Sequence, residues 1–151
     1  MTALKTKKLD PQIGQRVIGY IRNAYEDYLA SRILLNNNLL LQGAILANTS
    51  IEKYFKAILT FKGDTVKRSH SITRLLPSIR NFDKDLYNKL DREFIATIEK
   101  SYPLRYIDTV LKNTKLALRK KEVLANLDHL DRKSTRLNSS HIQKSRMPSS
   151  A

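Results

Sequence analysis

LLLQGAILANTSIEKYFKAILTFKG, running from Leu39 to Gly63, is the stretch that decides the fold. Within it Leu40, Ala44, Ala47, Ile51, Tyr54 and Ile58 recur at alternating steps of four and three, and Phe55 and Leu59 widen the stripe. Such spacing places all of these side chains on one face of an α-helix, and a stripe this broad predicts a helix at the centre of a bundle. Lys62 and Gly63 predict its end, because a basic last turn complements the helix dipole and glycine adopts the left-handed conformation that closes a helix. Beside the stripe, Glu52 and Lys56 stand one turn apart and are expected to form a surface pair worth ~0.3–0.5 kcal/mol.

Outward toward the N-terminus, Asn36 to Asn38 read as a turn, since asparagine side chains compete for backbone groups and tolerate left-handed conformations. A first helix is expected before it, starting at Asp10 and Pro11 and burying Ile13, Val17, Ile21, Ala24 and Tyr28, to about Leu35. Toward the C-terminus, a polar loop, GDTVKRSH, leads to a third helix with Ile72, Leu75, Leu76 and Ile79, short or bent at Pro77. Asp83 is a natural N-cap for a fourth helix carrying Leu86, Leu90, Phe94, Ile98 and Tyr102, which Pro103 should stop. A fifth is expected from about Ile107, with Val110, Ala117 and Leu124 at heptad spacing and Lys112, Lys115 and Arg119 on another face. The expected fold is all-α, an antiparallel five-helix bundle over residues 13–130, preceded by a basic arm at residues 1–12.

The chain of 151 residues carries 28 basic against 14 acidic side chains, a net charge of +14 that draws it toward polyanions. No cysteine is present, which excludes disulfides, thiolate nucleophiles and cysteine zinc sites and suits a reducing cytoplasm. No apolar run reaches the length of a membrane span, and MTALKTKKLDPQ lacks the apolar stretch of a signal peptide, so a cytoplasmic protein away from the membrane is expected.

From Asp131 the composition changes. DRKSTRLNSSHIQKSRMPSSA is polar, shows no apolar periodicity and is expected to be disordered. It also resembles, on both sides of a short gap at Ile142 to Lys144, the translation of a common sequencing-library adapter in one frame. Residues 131–151 are therefore expected to be non-native, with the native domain ending near Leu130.

Two places could hold an anion. Lys67, Arg68, His70 and Arg74 cluster at the start of the third helix, where free backbone amides favour negative charge; Ser69 capping a helix with solvated bases is the alternative. In SYPLRYIDTVL, Arg105 lies beside Tyr102 and Tyr106, a set suited to pairing with phosphate while a base stacks. Equally, this could be a packing corner with Arg105 paired to Asp108. No glycine-rich phosphate loop appears, and His70 and His129, the two histidines before residue 131, are too few for a usual zinc site, so neither metal nor cofactor is expected.

The order of these features, an alanine-rich helix with Glu52, Lys53, Lys56 and Ala57, then KRSHSITRLL, then SYPLRYID, resembles the HEPN domain family over roughly residues 13–130. The resemblance implies a helical bundle that commonly pairs into a homodimer, found in nucleotide-binding proteins and in RNA-cutting toxins and their inactive relatives, often near a nucleotidyltransferase partner. HEPN ribonucleases carry Arg-x4-6-His. With Arg105 at the arginine position, the places for histidine are taken by Val110, Leu111 and Lys112, none of which relays a proton near neutral pH. Arg136 and His141 have the right spacing but lie in the foreign-looking tail. The likeness is to the branch in which Arg105 and Tyr106 occupy the shared position, implying a non-catalytic module that binds nucleotide or RNA phosphate. The alternatives are a ribonuclease toxin using other residues and an interaction partner of a nucleotidyltransferase with no ligand site.

Overall fold

A computed structural model of the chain describes residues 10–63, 69–105 and 119–146. Helix α1 spans Pro11–Asn36, with the Asp10 carboxylate accepting from the Gln12 amide at 2.9 Å and proline in the first turn. Asn38, at φ 63°, reverses the chain, and α2 follows over Leu40–Lys62. Gly63 ends α2 at φ 88°, the left-handed stop that its position predicts.

The first two helices approach closely because small residues line their crossing. Ala24, Ser31, Gly43, Ala44, Ala47 and Ser50 are buried there. Ser31 Oγ donates to the Gly43 carbonyl at 2.6 Å and Ser50 Oγ to the Ala24 carbonyl at 2.8 Å, so these buried hydroxyls are satisfied across the crossing. Beyond it, Ile51, Tyr54, Phe55, Ala57, Ile58 and Leu59 are buried too, making α2 the central helix.

Helix α3, Ile72–Phe82, is capped by Ser71 rather than by Ser69: the Ser71 hydroxyl accepts from the Arg74 amide at 3.3 Å. It carries Pro77 within a single span. The expected fourth helix is instead two, α4 (Lys84–Lys89) and α5 (Arg92–Glu99). Asp83 caps the first and Asp91 caps the second, accepting from Phe94 N at 2.9 Å, while Leu90 between them is extended at ψ 134°. A second strong cap inside the apolar pattern breaks the helix, yet Leu86, Leu90, Phe94 and Ile98 all remain buried. Helix α5 ends before Pro103, which lies inside a 3-10 turn, Tyr102–Arg105.

The final described helix, α6, spans Lys120–Arg146 and lays Val123, Leu127 and Leu130 on the core. The expected start of a fifth helix near Ile107, with Val110, Lys112, Lys115 and Ala117, lies outside the described residues, as does most of the N-terminal arm. Among the described residues there are six α-helices and the 3-10 turn and no strand, the all-α helical bundle that the sequence predicts, with its fourth helix divided in two. Helix α6 runs on past Leu130 and continues unbroken to Arg146. Glycine and proline are absent from Asp131 to Met147, so nothing local stops the helix. Two tail residues meet the bundle, Asp131 accepting from the Tyr54 hydroxyl and Ser134 being buried. Among the described residues no helix is long and apolar enough to cross a membrane.

Helix α6 is tied to α1 by Asp128, which pairs with Arg32 and accepts from the Tyr28 hydroxyl at 2.9 Å. Burial and then the bond to Asp128 raise the Tyr28 pKa above its ordinary value. The stability this contact contributes is thus fully present below pH about 10 and lost as pH rises through the elevated folded value. Melts across that alkaline limb are expected to fall less steeply for Tyr28→Phe than for the wild type.

Candidate functional site

Three segments separated in sequence meet beside the middle of α2. Glu52 and Lys56, one turn apart on that helix, form an ion pair whose side chains are 5% and 11% exposed. The surface pair anticipated from spacing is therefore a largely desolvated one, in which each charge needs the other. His70, just ahead of α3, places its Nδ1 at 3.4 Å from the same Glu52 oxygen, while its side chain is 66% exposed. The buried carboxylate thus anchors one edge of an imidazole that otherwise faces solvent.

From the far side comes the 3-10 turn. The Tyr102 ring centroid lies 5.4 Å from that of His70, with 31° between the planes. Arg105 stacks on Tyr102, its guanidinium carbon 3.6 Å from the ring centroid, and its Nη1 reaches the Tyr102 carbonyl at 3.5 Å. The turn brings this about: a 3-10 turn has close to three residues per turn, so positions 102 and 105 superpose. Buried Leu104 and Ser101 hold it against the body of the protein. The result is a file, Lys56, Glu52, His70, Tyr102, Arg105, that runs from a buried ion pair to an exposed guanidinium.

The sequence separated these groups into two anion sites and a helix signature; the structure joins His70 from the first, Tyr102 and Arg105 from the second, and Glu52 and Lys56 from the third. Lys53 is not among them, since it pairs with Asp27 at 2.6 Å on the α1 side of α2. Arg74 is exposed on α3. Lys67, Arg68, Tyr106 and Asp108 lie outside the described residues, as does the side chain of His141. Among the described residues no group of three metal-ligating side chains is assembled.

Sequence reasoning missed Asn48, one turn before Glu52. It is fully buried, and neither its amide nitrogen nor its oxygen has a hydrogen-bond partner. The signal was available, because Asn48, Glu52 and Lys56 make a polar file at steps of four along one helix face.

Residues 19–139 match the family model described as the HEPN domain. No curated protein and no solved structure matches the chain.

Proposed function

Because the chain belongs to the HEPN domain family, we propose that it is a non-catalytic module that binds a nucleotide or RNA phosphate where His70, Tyr102 and Arg105 meet. The observation that carries this reading is the stack of Arg105 on Tyr102 beside an imidazole anchored by buried Glu52. A guanidinium laid on a ring loses little further freedom on binding, and the guanidinium group is matched in shape and charge to phosphate oxygens. A partly exposed aromatic next to it offers a face on which a base stacks. Lys67, Arg68 and Tyr106, adjacent in sequence to the cluster, belong to the proposed site, and the net charge of +14 favours a polyanion.

The test is a mobility shift with purified protein, end-labelled single-stranded and structured RNA, EDTA and a range of salt. Wild-type protein is expected to shift intact RNA more weakly as salt rises, and Arg105→Ala to weaken binding about tenfold, the scale of one charge-assisted contact. Absence of any shift would leave an interaction partner of a nucleotidyltransferase as the better reading. A ribonuclease is the second reading, favoured by one observation: a histidine held by a carboxylate is an arrangement suited to general acid–base chemistry. New products that persist with EDTA and vanish in His70→Ala would establish it.

Pairing into a homodimer belongs to the same proposal. Ile18, Tyr25, Leu29 and Ile33 recur along one face of α1 and are 38%, 47%, 41% and 62% exposed. Sedimentation is expected to give a dimer, and Ile33→Glu to weaken it by about tenfold or more, since burying such a side chain is worth ~1.5–3 kcal/mol. A monomer at all concentrations would contradict pairing. A toxin–antitoxin or nucleotidyltransferase-linked setting is the context in which such a module would act.

A further inference from the structure

A second meeting of cations and aromatics lies at the other end of α3 and α5. The guanidinium carbons of Arg80 and Arg92 sit 5.6 and 5.0 Å from the ring centroid of Tyr87, which is half-buried on α4. Both arginines are exposed. Their charges are thus no more than about 11 Å apart, a separation at which physiological salt leaves at most a weak repulsion between exposed groups. The neighbouring acids are engaged elsewhere: Asp83 and Asp91 accept from the Leu86 and Phe94 amides, and Asp85 pairs with Lys89. Glu93 stands exposed beside Arg92, yet among the described residues neither arginine makes an ion pair.

The two clusters share one seam. Thr73 and Arg80 are seven residues apart on α3, and so are Arg92 and Glu99 on α5, so each pair falls on one helix face. Glu99 accepts from the Thr73 amide at 3.4 Å and from its hydroxyl, while Arg80 and Arg92 meet over Tyr87. Hence α3 and α5 run side by side and antiparallel, with about 10 Å between the two contacts. At the Thr73–Glu99 end the chain continues directly to His70 on one side and to Tyr102 and Arg105 on the other.

We propose that Arg80, Tyr87 and Arg92 form a second phosphate subsite, and that the ligand is a single-stranded RNA segment spanning both ends of the α3–α5 seam. This inference rests on the reading of the His70, Tyr102 and Arg105 cluster as a phosphate site. Single-stranded polynucleotides are held by cations that track the backbone with aromatic faces between them. Here cation–aromatic clusters stand at both ends of one exposed seam, and a phosphate between Arg80 and Arg92 has a cation on either side.

The experiment is fluorescence anisotropy of the full chain with labelled oligouridylate, comparing a dinucleotide with a strand of about ten nucleotides. R80Q/R92Q is expected to weaken binding of the longer strand about tenfold and to flatten its salt slope by about 0.7, the contribution of the one phosphate held between the two arginines on a single strand. Dinucleotide binding should not change. Thermal melts check folding, and Arg92→Gln alone, which leaves Arg80 on the ring, carries the same test with about half the slope change. If the longer strand binds R80Q/R92Q as tightly as wild type while Arg105→Ala weakens it, the second subsite is overturned and the first stands. If R80Q/R92Q weakens binding and Arg105→Ala does not, the spanning ligand is overturned because the first site has failed. No binding of either oligonucleotide by wild type would overturn both.

Discussion

Lys56→Ala is expected to destabilise the protein by about 3 kcal/mol, because removing one member of a buried ion pair strands the other charge in a poorly solvated place. Glu52 is 5% exposed, and after the substitution His70, at 3.4 Å, is the ion-pair partner left to its carboxylate among the described residues. The alternative is that water reaches Glu52 freely, in which case the loss would be the ~0.3–0.5 kcal/mol of a surface pair. Urea denaturation separates the two values easily. A paired replacement, E52Q/K56M, removes both charges while keeping their bulk, and its stability is expected to lie within about 1 kcal/mol of wild type. That variant also separates folding from binding, since it keeps the fold while removing the carboxylate that anchors His70. RNA binding should weaken in it.

Gly43→Ala is expected to cost about 2 kcal/mol, although alanine is the better helix former by ~1 kcal/mol. A Cβ at position 43 would lie 2.6 Å from Leu35 Cγ, 2.7 Å from its Cδ2 and 3.2 Å from its backbone nitrogen. Leu35 is fully buried and has nowhere to swing, so α1 and α2 must part, stretching the 2.6 Å bond between Ser31 Oγ and the Gly43 carbonyl. Gly19→Ala on α1 provides the opposite sign. No atom lies within 4 Å of a Cβ there, so only the propensity gain of ~0.5–1 kcal/mol remains and the variant should be more stable. Equal effects at the two glycines would show that the helix crossing is looser than the structure has it.

The helices were legible where one mechanism governed them. The apolar stripe, the capping Asp10 and the stop at Gly63 each act locally, so α1 and α2 could be read to within a residue or two. The break at Leu90 was harder, because Asp91 competes as a cap inside a pattern whose apolar steps of four continue undisturbed. Past Leu130, a polar segment lacking glycine and proline carries no stop signal and can extend an existing helix. Of the site, Tyr102 and Arg105 were visible as an aromatic–arginine pair in one short turn. That His70 would stand between them and Glu52 depends on how α3 and the 3-10 turn pack on α2, which spacing within any one segment does not encode. The same holds for Tyr87 between Arg80 and Arg92, whose three helices are brought together by packing.

The most direct test of the central claim follows the His70 ring by proton–nitrogen NMR while a nucleotide monophosphate or short RNA is added to the full chain, with binding read in parallel. The His70 resonances are expected to shift and saturate along the binding curve, those of His129 on α6 to stay in place, and Arg105→Ala to displace the curve to higher ligand concentration. A saturable binding curve with unmoved His70 resonances would contradict that claim, placing the anion elsewhere on this basic surface.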